Sequence, residues 1–393
     1  MIWRVAFSAV GGAGWLGGQN YLRNLVAVVR HHGAGNIEPV VFAGTSDDGE
    51  SLSQFCRRSG IECVVTSDFD PARLRRRALP TVATGHDGIS EQHFAAAKID
   101  AVFEAGSYFG WRPRLPIVSW YPDFQHRHLP AMFRSSDRLQ RDLLLHLRMA
   151  GPRIFMLSSR SAEADCLRFF PASAGRTIAV PFAVQPPPLA EHPAGAVLAR
   201  YGITGTYVFM PNQFWRHKNH GVVIEALQQL QATGRSVRVV STGLQQDLRD
   251  PAHFPSIVSQ IAGAELGDAF CMLGVVPYAD LMVLLGSAAA LLNPSLFEGW
   301  STSVEEAKCL GVPLLLSDID VHREQSGADA AYFSAHDAAA LATILADYPA
   351  DLPFPDDARR RAGARPLQEI RLKAFADGFA ESVDRAIRYR SGR

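Results

Sequence analysis

Short apolar runs alternate with segments of helical periodicity along nearly the whole chain. WRVAFSAV, residues 3–10, is strand-like and leads into a glycine-rich loop. NYLRNLVAVVRHH then places Leu22, Leu25, Val26 and Val29 on one helical face. EPVVFAG, ECVVTSD, DAVFEAG, PIVSWYPD and RIFMLSS are further strand-like runs, each closing on small or polar residues, with helical segments between most of them. This rhythm predicts a mostly parallel sheet covered by helices on both faces. It stops near residues 181–198, where PFAVQPPPLAEHPAGA holds five prolines and cannot continue a helix or a central strand. A second series follows: the strands TYVFMPN, SVRVVSTG, AFCMLGVV, AALLNPS and VPLLLSD, with the helices HGVVIEALQQLQATG, ADLMVLLGSA and SVEEAKCLG between some of them. The expectation is two α/β domains, residues 1–182 and 199–365, joined by a linker over 183–198, with a last helical segment over 366–393.

Length agrees with that division, because 393 residues are too many for one compact core. The apolar fraction of 47% with 20% charged residues is that of a soluble globular protein. No apolar run reaches the roughly 18–20 residues a membrane-spanning helix needs, and the start of the chain reads as a strand and not as a signal peptide. The expectation from these features is a cytoplasmic protein. Five scattered cysteines without CxxC spacing argue against a disulfide framework or a structural zinc site. The charges sum to zero but are unevenly spread: residues 1–185 carry 21 Lys/Arg against 16 Asp/Glu, and the remainder 18 against 23. A basic first half can face something anionic such as the inner face of a membrane, and ordinary scatter explains the split as well. The basic stretch RLRRRALP (73–80) reads first as a solvated face.

In open α/β sheets ligands gather outside the carboxyl ends of the strands, so the loops there matter most. Three of them carry chemistry. GGAGWLGGQN (11–20) is rich in glycine, which lets backbone approach a ligand, yet it lacks the dinucleotide GxGxxG spacing. No acidic residue ends the next strand to hold a ribose, and a plain turn explains the loop equally well. FMPNQFWRHKNH (209–220) puts Arg216, Lys218, His217 and His220 just before a helix start, where cations oppose the helix dipole. A bound diphosphate accounts for them, Lys218 above all, while Trp215 and His217 can simply pack. The third loop, NPSLFEGWSTSVEEAKCLG, carries Glu298 ahead of a short helix and Glu305 and Glu306 within it. Thr302 with Glu305, or Ser303 with Glu306, matches a capping box, which accounts for one glutamate only. On a single helix, residues eight apart lie about 80° out of line, so Glu298 and Glu306 converge only if Glu298 sits in the loop.

The ordered set of these segments resembles the retaining glycosyltransferases of family 4. PSLFEGWSTSVEEAKCLGVPLLLSD is similar to that family's Glu-x7-Glu signature, with Glu298 and Glu306 as its two glutamates. WLGGQNYLRNL, WYPDFQHRHLPAMF, LSSRSAEADCLRFF, PNQFWRHKNH and LGVVPYADLMVLLGSAAALLNPS match in order and spacing, so the resemblance covers almost the whole chain. It implies the GT-B fold: two Rossmann-like domains with parallel sheets facing a central cleft, the second binding a nucleotide sugar, the first the acceptor, and the last helix crossing back. It implies that Glu306 holds the ribose hydroxyls, Glu298 a hydroxyl of the donor sugar, and Lys218 the diphosphate. Backbone amides of Gly18 and of Ser301, Thr302 and Ser303 would assist, with Gly17, Gly299 and Trp300 lining the donor site and Asp123 and His126 acting on the acceptor side.

The chain departs from the family pattern at three places. An arginine usual five or six residues before the lysine is replaced by Asn212 and Gln213, which leaves Arg216 as the candidate substitute. Gly299–Trp300–Ser301–Thr302–Ser303 stands where Gly-Phe-Gly-Leu-Pro is common. Pro122 occupies the place of a histidine, with His126 nearest as its replacement. The implied activity is metal-independent transfer from a nucleotide-diphosphate sugar to a glycan or lipid-linked glycan of cell-surface polysaccharide, with no resident cofactor and no nucleic acid partner. A nucleotide-sugar epimerase of the same fold, a nicotinamide-dependent enzyme and a non-catalytic nucleotide-sugar-binding subunit remain as other classes.

Overall fold

The computed structural model describes residues 2–8, 16–33, 35–185, 193–351, 354 and 357–392. Among these residues two all-parallel sheets form. The first has seven strands: β1 Trp3–Ser8, β2 Ile37–Ala43, β3 Glu62–Val65, β4 Ala101–Glu104, β5 Ile117–Tyr121, β6 Arg153–Leu157 and β7 Thr177–Ala179. Their order is β3-β2-β1-β4-β5-β6-β7. The second has six: β8 Val208–Met210, β9 Val239–Ser241, β10 Phe270–Met272, β11 Ala290–Asn293, β12 Leu314–Ser317 and β13 Ala330–Phe333, in the order β10-β9-β8-β11-β12-β13. Both sheets are doubly wound, and strand order reverses between β1 and β4 in one and between β8 and β11 in the other. Their central strands are nearly continuous apolar runs because helices cover both faces; β8 is VFM and β12 LLLS, every residue buried.

The chain divides into two compact units. The first comprises residues 1–124, 134–183 and 370–393, and the second residues 125–133 and 184–369. In the first, Phe7 of β1 and Phe103 of β4 lie 5.4 Å apart and both meet Phe379 of the long helix Asp357–Ser391. In the second, Val223, Leu227 and Leu230 of the helix His220–Ala232 and Leu341 and Leu345 of Ala338–Leu345 pack with β8, β9 and β11.

Two elements of the sequence reading need amendment. The first helix spans Leu16–His32, so Gly17 and Gly18 lie in its first turn, while positions 11–15 of the glycine loop lie outside the described residues. The proline-rich stretch ends in a helix, Ala194–Arg200, and its residues 186–192 also lie outside the described set. Among the described residues no helix is long and apolar enough to cross a membrane.

Candidate functional site

Three loops of the second unit meet at the carboxyl ends of β8, β9 and β11, beside the point where strand order reverses. Local chemistry holds them together. Asn219 adopts a left-handed φ of 58°, which asparagine tolerates, and its Nδ2 donates to the carbonyls of Pro294 (3.1 Å) and Ala335 (2.7 Å). The Leu296 amide donates to the His217 carbonyl at 2.8 Å. Gly243 has a φ of 140°, and a Cβ there would stand 2.6 Å from the Asn212 carbonyl oxygen, so only glycine lets the β9 loop lie so close.

Within this frame Lys218 Nζ and Glu298 Oε1 form an ion pair at 2.6 Å, their side chains 14% and 10% exposed. Ser295 Oγ lies 2.7 Å from the same carboxylate oxygen, and Asn293 Nδ2 approaches it at 3.5 Å. Burial alone would push the Glu298 carboxyl up. Burial is the largest single effect, but the Lys218 ammonium and the His322 and His217 rings together outweigh it and hold Glu298 at about 2. Asn212 is tied in through Asn293, its Nδ2 donating to Asn293 Oδ1 at 3.1 Å. Gln213 turns to the β9 loop, accepting from the Leu244 amide at 2.6 Å.

Arg216, the substitute cation of the sequence reading, is half-exposed, with its guanidinium 3.8 Å from Asp250. A different arginine stands nearer the lysine's neighbour. Arg249 lies over the Trp215 and Phe133 rings, approaches His217 Nδ1 at 3.4 Å and donates to Gln125 Oε1 at 3.2 Å. Burial, then the charge of Lys218, pushes the His217 imidazole well below its usual range. The His128 ring lies 5.1 Å from that of Phe297, the residue before Glu298, at a tilt of 33°. His126 is buried in the same segment of the second unit, near Phe133, whereas Asp123 and the glycines Gly17 and Gly18 belong to the first unit.

The helix Thr302–Leu310 starts beside this pair. Its N-cap, Ser301, makes no side-chain capping bond, and neither capping box expected from the sequence forms. The Ser301 hydroxyl faces Asn293 Nδ2 (2.9 Å) and Ser303 Oγ (3.1 Å) instead. Glu305 is buried and accepts from Lys308 Nζ at 3.1 Å and Gln325 Nε2 at 2.9 Å. Gln325 also grips Ser301 at both ends, donating to its carbonyl at 2.8 Å and accepting from its amide at 3.2 Å. The Ser301 amide thus has a partner within the protein in Gln325. Gly299 and Trp300 are half-buried in the loop between Glu298 and this cap, and Thr302 is exposed in the first helical turn.

Glu306 is buried one residue further on. Burial pushes its carboxyl up to about 7, against the hydrogen bond it receives from the Tyr278 hydroxyl. His322, after β12, was not singled out from the sequence and lies within electrostatic reach of both Lys218 and Glu298. A strand-end position is the one signal that could have found it. Among the described residues no group of three or more His, Cys, Asp or Glu side chains is placed to hold a metal ion.

Residues 202–363 match the model of the family described as glycosyl transferases group 1. No curated protein gives a significant sequence match. Solved structures with similar folds span nearly the whole chain. A sucrose-phosphate synthase from Thermosynechococcus elongatus is 17% identical with a TM-score of 0.64, covering 99% of this chain and 98% of its own. Anabaena HepE, solved with UDP and glucose, is 14% identical with a TM-score of 0.64, covering 97% and 99%. A glycosyltransferase from Rickettsia africae is 14% identical with a TM-score of 0.60, covering 100% and 97%. With two doubly wound parallel sheets and these likenesses, the chain has the GT-B fold, and its second unit carries the glycosyl transferases group 1 match.

Proposed function

We propose that this protein transfers a sugar from a nucleotide-diphosphate donor to a glycan or lipid-linked acceptor, with retention at the anomeric carbon and without a metal ion. The observation that carries the reading is the Lys218–Glu298 pair at the crevice between β8 and β11, next to a helix start that no side chain caps. Breaking the bond from the anomeric carbon to the diphosphate leaves positive charge on the sugar ring and negative charge on the departing phosphate. Lys218 and the first-turn amides of Thr302 and Ser303 are the groups of this chain suited to the negative charge. Glu298 is then free to accept from a sugar hydroxyl, and Glu306, ionised, accepts from the ribose. In this reading Asp123 and His126 serve the acceptor, and Arg249, better placed than Arg216, sits beside the lysine loop. The work is done in the cytoplasm, with any membrane contact peripheral.

The test begins with a thermal-shift screen against a panel of nucleotide sugars, followed by incubation of the binder with and without candidate acceptors. The expected result is a glycosylated product whose anomeric configuration, read by NMR, equals that of the donor, at a rate unchanged by EDTA. Epimerised sugar released from donor alone would replace this reading with an epimerase. Binding without any turnover would replace it with a non-catalytic binding subunit.

A further inference from the structure

The ion pair at the site raises a problem of charge. Lys218 cannot serve a diphosphate and neutralise Glu298 at 2.6 Å with equal effect. As the ammonium turns to phosphate, Glu298 is left as a largely buried carboxylate with a weakened counter-charge, a costly state. Among the described residues two buried imidazoles act on Glu298, His217 and His322. His217 has the Arg249 guanidinium 3.4 Å from its Nδ1, which disfavours a second positive charge there and leaves His322 to answer it.

His322 is fully buried at the start of the helix Asp320–Ser326. Its protonation is fixed by its neighbours. Nδ1 lies 2.9 Å from the Ser317 carbonyl, an acceptor, and 3.2 Å from Ser317 Oγ. Ser317 Oγ donates its own hydrogen to the Ser295 carbonyl at 2.6 Å, so toward the ring it can only accept. Nδ1 therefore carries the proton, and a neutral ring keeps its lone pair on Nε2. Nε2 is buried and has no hydrogen-bond partner among the described residues. Ser317, which holds Nδ1, donates to the Ser295 carbonyl at 2.6 Å, and Ser295 Oγ lies 2.7 Å from Glu298 Oε1, so one serine separates the ring's anchor from the carboxylate. The charged groups that act on the ring are Glu298, from the loop after β11, and Lys218, from the loop after β8. Those acting on Glu298 are Lys218, His322 and His217. Of His322, the Tyr332 hydroxyl meets the backbone carbonyl, donating to it at 3.2 Å.

We propose that His322 is a charge-compensating residue: when a nucleotide-diphosphate sugar draws Lys218 away from Glu298, His322 takes a proton from solvent on Nε2 and becomes the nearby cation that offsets the carboxylate. This rests on the reading of Lys218 as the diphosphate ligand. The balance is simple. One proton leaves the buffer, one imidazole becomes imidazolium, and the buried charge around Glu298 is restored.

The consequence is that donor binding consumes protons. Burial and Lys218 hold the free His322 ring below its usual range, against the pull of Glu298. With Lys218 turned away the balance shifts upward, so affinity weakens as pH rises between the two values, by up to about tenfold per pH unit. Glu306 works in the opposite direction. Its carboxyl at about 7 must ionise to accept from a ribose, so its part of the affinity grows with pH. The difference between wild type and a His322 variant separates the two.

The experiment is calorimetric titration of the intact protein with UDP-glucose and GDP-mannose across pH 6–8, in buffers of different ionisation enthalpy, for wild type and His322→Asn. Asparagine keeps a donor for the Ser317 carbonyl and cannot titrate. The expected result is that wild type takes up a proton that the variant does not, and loses affinity more steeply with pH. Equal proton uptake in both proteins overturns the proposal and leaves the nucleotide-sugar reading standing. If wild type binds neither sugar nucleotide at millimolar concentration, that reading fails and the proposal falls with it. Should His322→Asn not fold, nitrogen-15 histidine NMR of wild type decides: imidazolium shifts for the buried ring on binding support the proposal, and an unchanged neutral ring overturns it.

Discussion

The two sheets share a winding order, and each places a glutamate at or just beyond the end of the strand that follows its reversal point. The two carboxylates live very different lives. Glu104, the last residue of β4, is closed in: Oε2 accepts from Arg153 Nε at 2.8 Å, and Oε1 from Arg153 Nη2 and the Phe109 amide, each at 3.0 Å. Arg148 stands 3.6 Å away and donates onward to the carbonyls of Ala105 and Ser107, while Arg153 also donates to the Gly110 carbonyl. Burial opposes the charge on Glu104, but the two arginines hold its carboxyl below the ordinary range. Glu298, just past the end of β11, has one lysine and one hydroxyl close by and the Asn293 amide at 3.5 Å. A carboxylate with all its hydrogen bonds met by the protein braces a loop. One held by a single cation is available to a ligand.

Replacing Glu104 gives the largest expected effect. Glu104→Ala leaves two arginines buried without their counter-ion, and should destabilise the protein by about 3–5 kcal/mol in denaturant unfolding. Near-wild-type stability would erase the contrast with Glu298.

Lys218→Ala should act on chemistry instead. Loss of one preorganised charge at a leaving group lowers kcat by about 10²–10³-fold. Steady-state turnover on protein shown to be folded by circular dichroism checks this, and a variant with wild-type kcat removes Lys218 from the reaction.

Glu306→Gln is expected to be the mildest of the three. It weakens nucleotide binding by roughly 1.5–3 kcal/mol through loss of a charged acceptor. It also tests a pH signature. The raised Glu306 carboxyl contributes stability that is present in full below about 4.5 and lost as pH rises through about 7. The depressed Glu298 carboxyl does the reverse, contributing above about 4.5 and losing that contribution as pH falls through about 2. Melting curves from pH 4.5 to 7.5 should therefore decline for wild type relative to Glu306→Gln, and parallel curves would mean that Glu306 is already ionised.

Much of the fold could be read from the alternation of apolar runs and helical faces. β7 and β13 could not: Thr177–Ala179 has three residues, and Ala330–Phe333 begins on two alanines, too little apolar surface for a strand signal. At the site, Lys218 and Glu298 drew notice because a cation before a helix and a carboxylate in a loop lack a local explanation. The capping box misled because motif spacing says nothing of competitors. Gln325, twenty residues from Glu305, captures it, and Asn293 takes the Ser301 hydroxyl. His322 and Arg249 are set by how three loops fold over one sheet end, information that no short window holds.

The nine residues 125–133 that join the second unit from the other half of the sequence have a practical meaning. The backbone passes between units four times, so severing it at residue 184 does not liberate an intact C-terminal half. A fragment 184–369 would lack Gln125, His128 and Phe133, and so bare the Phe297 ring that His128 meets and the Arg249 guanidinium that Gln125 and Phe133 meet. Anyone seeking a minimal donor-binding piece should therefore supply that nonapeptide as well, tethered or in trans.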